Sequence, residues 1–112
     1  MDFIVYCIDR DDGGKARQAT RADHLSFIVD KQHVFRYGGP LLAADGSPKG
    51  SLMILDMPDR AALDEHMRRD PYFRDEVFAS VTVWATRQVV PDVTPGALAA
   101  ELDKQRRLDA QR

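Results

Sequence analysis

Val34-Phe-Arg-Tyr-Gly-Gly-Pro40 and Ser51-Leu-Met-Ile-Leu-Asp-Met57, joined through Ala44-Asp-Gly-Ser-Pro-Lys-Gly50, decide the fold. Both runs favour strands, and the Gly, Pro, Asp and Ser between them predict an antiparallel hairpin or a wide loop. Gly38-Gly39-Pro40 predicts that the sheet pauses or reaches an edge there, because glycine permits unusual dihedrals and proline lacks a donor. Outward from this pair lie two helix signals. Upstream, Thr20 is a good N-cap, Asp23 approximates the acidic end of a capping box, and Leu25, Ile28 and Val29 supply an apolar stripe, so a helix is expected from about Thr20 to Gln32. Downstream, Asp59 caps a second helix whose core-facing side is Ala61, Ala62, Leu63 and Met67, and Pro71 turns Asp70 away from helical dihedrals. Beyond the helices, Asp2 to Ile8 is a compact strand-forming run, and Val77 to Val90 is a long last strand with Val, Thr and Trp84 in rough alternation.

The resulting order, β-α-β-β-α-β, predicts an α+β, ferredoxin-like chain with a four-stranded antiparallel sheet and both helices on one face. The uncovered face predicts a homodimer with stacked sheets, a dimeric α/β barrel, because a small monomer cannot hide that apolar surface alone. The domain is expected over residues 1–91. In residues 92–112, Thr94-Pro95-Gly96 opens a segment with Leu98, Leu102 and Leu108 among charged residues. It reads as an amphipathic helix clasping a partner or as a solvated tail.

Composition narrows the function. With 112 residues, 44% of them hydrophobic, and a net charge of -2, the chain is one globular domain. No basic stripe predicts nucleic-acid binding, and no apolar run reaches the ~20 residues of a membrane span. Met1-Asp2-Phe3 lacks the basic start of a signal peptide, so a cytoplasmic protein is expected. Cys7, the single cysteine, reads as a small buried residue. His33 and His66 belong to no His-x-x-x-His, His-Glu-x-x-His or Cys-x-x-Cys pattern, and His66 is expected on an exposed or half-exposed helix surface, so no metal is expected. The Gly-Gly pairs at 13 and 38 lack phosphate-cradling spacing.

What remains is a histidine and a carboxylate that the fold could pair, His24 and Asp70. His24 is expected in the first turns of its helix, where the positive end of the dipole disfavours imidazolium and leaves a proton acceptor. Asp70 is expected to cap the turn Pro71-Tyr72-Phe73 with one oxygen and to accept from His24 with the other. Arg17 and Arg21 steer an anionic or phenolate oxygen, or are merely solvated. Ser51 donates to a bound oxygen, or is a strand-edge hydroxyl.

Arg17-x-x-x-Arg21-x-x-His24-Leu25, Gly39-Pro40, Gly50-Ser51, Asp70-Pro71-Tyr72 and Ser80-Val81-Thr82-Val83 occur in that order. With these motifs the chain resembles the YciI-like (YCII-related) family from its first strand to about Pro91. The resemblance implies a ferredoxin-like domain that dimerises as an α/β barrel, with His24 and Asp70 as the active-site pair. Arg17, Arg21 and Ser51, with Gly39, Pro40 and Tyr72 of the shared motifs, are the expected substrate-binding positions. That family includes a dehydrochlorinase of a chlorinated hydroxyquinol, and related dimeric barrels include a muconolactone isomerase. The implied activity is therefore cofactor-independent isomerisation or elimination on a small oxygenated, aromatic or lactone-like molecule; the alternative is a non-catalytic ligand-binding or accessory dimer. Ala22 stands where the family often has proline, Arg36-Tyr37-Gly38 replaces its apolar lead into Gly-Pro, and Trp84-Ala85 replaces Lys-Pro. These departures are expected to line or border the pocket. The segment from Thr94 onward lies outside the resemblance.

Overall fold

Alternation along the first strand sets the layers. In β1 (Asp2–Asp9), Phe3, Val5 and Cys7 are buried on one face. In β3 (Pro48–Asp56), Met53 and Leu55 are buried beside them. The computed structural model describes residues 1–112 and places these two strands at the centre of an antiparallel sheet ordered β2-β3-β1-β4, with β2 at Phe35–Leu42 and β4 at Phe78–Thr86. Helices α1 (Lys15–Val29) and α2 (Arg60–Arg69) and the short α3 (Pro71–Arg74) separate the strands as the ferredoxin-like order requires. Leu63 of α2 and Met57 complete the core on the helix side of the sheet. The opposite face follows from register: Ile4 sits between Ile54 and Trp84, and Tyr6 between Leu52 and Thr82. Tyr6 is 43% and Trp84 67% exposed. No helix is long and apolar enough to cross a membrane.

Several boundaries differ from the sequence reading. The first helix starts at Lys15, five residues before Thr20, because Asp12 supplies the cap. Its carboxylate accepts from the backbone N–H groups of Gly14, Lys15 and Ala16, and Gly14 takes the left-handed conformation that this entry needs. Thr20 is instead buried inside α1, where its hydroxyl donates to Asp75, and Asp23 is exposed and pairs with Arg74 at 3.7 Å. His24 therefore lies about two and a half turns into the helix, beyond the reach of the N-terminal dipole. The helix stops at Val29, and Gln32–Val34 form a separate 3-10 turn. Strand β2 is an edge strand, as expected, but it does not pause at Gly38-Gly39-Pro40. It runs on to Leu42, with its register slipping between Phe35 and Tyr37. β3 starts three residues earlier than expected, at Pro48, and β4 ends at Thr86 rather than Val90. In the last segment Asp92 caps a helix, α4 (Ala97–Ala110), through Gly96 and Leu98, and Leu98, Leu102 and Leu108 stay exposed.

Asp59 caps α2 through Ala62 N–H at 2.8 Å, as its residue type predicts. His66 departs from expectation: it is buried, not exposed. It follows Leu63 by three residues on the core-facing side of α2, and the rings of Phe27 and Phe35 enclose it at 5.2 and 5.7 Å. Its Nε2 has no hydrogen-bond partner. Burial lowers its pKa, with the charge of Asp70 opposing. The neutral ring is thus the folded form, and an unfolded chain takes up a proton that the folded chain refuses. Stability should fall as pH drops below the ordinary histidine value of about 6.5. His66→Phe is expected to remove that loss and to stabilise the fold by about 1 kcal/mol, read from urea midpoints at about pH 7.5 and 5.5.

Candidate active site

Helix α1 carries Arg17, Arg21, His24, Leu25 and Ile28 along one stripe, at the spacing that keeps residues on one helical face. Against that stripe, Gly39 and Pro40 of β2, Ser51 and Met53 of β3, and Tyr72 of α3 border a cleft of about 820 Å³. All eight site residues expected from the sequence line this one cavity or, for Asp70, sit directly behind it.

His24 Nδ1 lies 2.7 Å from Asp70 Oδ1, with the two side chains 13% and 1% exposed. The same Oδ1 accepts the backbone N–H of Tyr72 at 3.0 Å, with Pro71 at the first position of α3. One oxygen therefore holds both partners, where the sequence reading assigned them to separate oxygens. A carboxylate only accepts, so the pair is satisfied when Nδ1 carries the proton and Nε2 keeps its lone pair. That Nε2 has no partner and is not buried.

The back of the histidine is covered. Tyr72 stacks on it with ring centroids 3.7 Å apart and planes 4° from parallel, and the guanidinium of Arg17 lies 4.9 Å from the Tyr72 ring centre. Burial raises the pKa of the Tyr72 phenol, against the opposing charges of Arg17 and Arg21. Arg17 is fixed in turn: Nε and Nη2 donate to Asp9 at 2.7 and 2.9 Å, and Nη2 donates to Ser51 Oγ at 2.7 Å. Asp9, whose side chain is only 8% exposed, was not singled out from the sequence. The signal was there, since the alternation of Phe3, Val5 and Cys7 puts Asp9 on the same face, and a carboxylate so enclosed needs a cationic partner.

Cys7 is wholly buried and does not line the cleft, and burial, aided by the charge of Asp70, pushes its thiol up to about 12, which disfavours the thiolate. No group of three or more His, Cys, Asp or Glu side chains is arranged to hold a metal ion. Of the three expected departures, only Arg36-Tyr37-Gly38 borders the cleft. Trp84 faces away on the open side of the sheet, paired across from Ile4, and Ala22 lies on an exposed part of α1.

A ferredoxin-like α+β domain with a histidine–carboxylate pair at the back of a helix-covered cleft is the class that fold and site define. The chain belongs to the family of YCII-related domains, which it matches over residues 1–87. Among solved structures it is similar to 5-chloro-2-hydroxyhydroquinone dehydrochlorinase (TftG) from Burkholderia phenoliruptrix AC1100, determined in complex with 2,5-dihydroxybenzoquinone. The two are 25% identical with a TM-score of 0.74, over 79% of this chain and 95% of that one. A putative antibiotic biosynthesis monooxygenase from Nitrosomonas europaea matches at 21% identity and a TM-score of 0.47, over 78% of this chain and 98% of that one. A search of curated proteins finds no match.

Proposed function

We propose that the protein is a small-molecule isomerase or lyase in which His24 moves a proton on an oxygenated metabolite and Asp70 orients and charges the base. The observation that carries this reading is the 2.7 Å contact between His24 and an almost wholly buried Asp70, which leaves Nε2 unpartnered beside the cleft. Nε2 takes a proton from carbon next to a carbonyl or enol, and the imidazolium so formed is stabilised by the carboxylate at Nδ1. The electron pair released expels a leaving group, giving elimination, or is reprotonated elsewhere by the same ring, giving isomerisation. Neither route calls on a cofactor for the proton transfer itself. The similarity to a dehydrochlorinase solved with a dihydroxybenzoquinone supports the elimination branch and a planar oxygenated substrate. Ser51, Arg17, Arg21 and the backbone at Gly39-Pro40 are proposed as the substrate-binding surround, with Tyr72 backing the base.

A screen of small phenols, enols and lactones, run on the wild type and on His24→Ala side by side, tests the reading. Turnover that survives in the variant within a few-fold overturns it.

The protein is further proposed to act as a homodimer, with the open sheet faces stacked into an α/β barrel. A single chain leaves Tyr6 and Trp84 exposed on a sheet face with no helix over it. Sedimentation equilibrium should give twice the 12.6 kDa chain mass at micromolar protein, and Trp84→Glu should return it to the monomer mass. A wild type that sediments as a monomer removes this proposal.

A further inference from the structure

Three arginines border the cleft, and no Asp or Glu does. They are not equivalent. Arg17 is committed to Asp9 and Ser51. Arg36 is committed to Asp2 at 2.7 Å and to Asp56 at 3.3 Å. Arg21, one helical turn beyond Arg17 and three residues before His24, makes no ion pair and no hydrogen bond; its neighbours on the exposed side of α1 offer no carboxylate within reach, because Asp23 is turned to Arg74. A chain with net charge -2 thus keeps one uncompensated positive charge at the rim of its cleft, next to the proposed base.

The same cleft has apolar lining. Leu25 and Ile28 of α1 border it together with Phe35 and Met53 of the sheet. A guanidinium beside hydrocarbon suits a molecule with a negative oxygen at one end and an apolar or aromatic body at the other. Pairing the oxygen with Arg21 would lay the body along that lining and bring atoms next to the oxygen toward His24, three residues further along the helix. We infer that the cleft takes an organic monoanion, a carboxylate or phenolate on an apolar body, and that Arg21 is the residue that recognises its charge. The inference deepens the proton-transfer reading and rests on it for the placement of the ligand beside His24.

Benzoate and its neutral counterpart benzamide are the probes, with binding followed by NMR titration of the protein's amide and imidazole signals. Benzoate should bind the wild type at least about 10-fold more tightly than benzamide, and more weakly as salt is raised. Arg21→Gln should weaken benzoate by about 10- to 100-fold and leave benzamide unchanged, with Arg21→Lys in between. Arg21 is exposed on a helix surface, so these variants should fold, and their unperturbed spectra check it. Equal affinity for the two probes, no binding of either at millimolar concentration, or wild-type benzoate affinity in Arg21→Gln overturns the inference. Its failure is distinguishable from failure of the proposed function. Turnover of a neutral substrate, lost in His24→Ala but untouched in Arg21→Gln, would remove the anion and keep the base. Benzoate binding that depends on Arg21, together with turnover that survives in His24→Ala, would do the reverse.

Discussion

His24→Ala and Asp70→Asn are each expected to lower turnover by roughly 10²- to 10⁴-fold on a substrate found by screening, with the fold intact. The two variants remove different things. His24→Ala deletes the proposed base, and it also strips one partner from Asp70 Oδ1, which keeps only the Tyr72 N–H. A loss of about 1 kcal/mol of stability should accompany it. Asp70→Asn is the cleaner substitution. The amide oxygen can occupy the place of Oδ1 and accept from both Tyr72 N–H and His24 Nδ1–H, so the cap and the ring orientation survive while the negative charge goes. If that charge stabilises the imidazolium, the rate falls with little change in KM, and thermal melting moves by only a few degrees. A variant that turns over like the wild type makes Asp70 a helix cap and nothing more. Asp70→Ala removes the cap as well and should cost a further ~1 kcal/mol or more.

Gly50→Ala is expected to be the most damaging single change to the fold, costing about 3 kcal/mol and most of the soluble yield. Gly50 is buried in β3 opposite Ile8 of the central strand β1. A Cβ there would fall well inside contact distance of the carbonyl oxygen of Cys7, a backbone atom that cannot swing aside, and would also press on the side chain of Leu41 in β2. Relief requires β1 and β3 to part. That movement pulls Ser51 away from Arg17, so residual folded protein should also lose the Arg17–Ser51 contact. Urea denaturation compares the variant with the wild type, and a midpoint within experimental error of wild type would show that the strands have room to spare.

How far the sequence could be read depended on how local each signal was. β1 and β3 were legible as strands because each is a local run of strand-forming residues, and the start of α2 because Asp59 sits directly before its helix. The start of α1 was not, because its cap, Asp12, stands before two glycines that read as loop, and only their left-handed backbone reveals that the chain is already turning into the helix. Thr20 offered a plausible cap at the wrong place; burial inside the helix explains why it is there. β2 was cut short in the reading because Gly-Gly-Pro breaks most strands, yet an edge strand needs hydrogen bonds on one side only. For the site, motif resemblance named His24 and Asp70, but which oxygen does what depends on contacts between residues 46 positions apart. The burial of His66 belongs to the same category, because it follows from the packing of α1 and α2 on the sheet, which no single segment encodes.

Asp70 ends α2 with its backbone N–H, which donates to the carbonyls of His66 and Met67, and with one carboxylate oxygen it begins α3 and holds His24, so the proposed reactivity is tied to local order. Were the corner between α2 and α3 to open, Tyr72 N–H and the imidazole would be released by the same motion, and the proposed base would lose its orientation. Such coupling would confine the proposed proton transfer to molecules whose corner is intact.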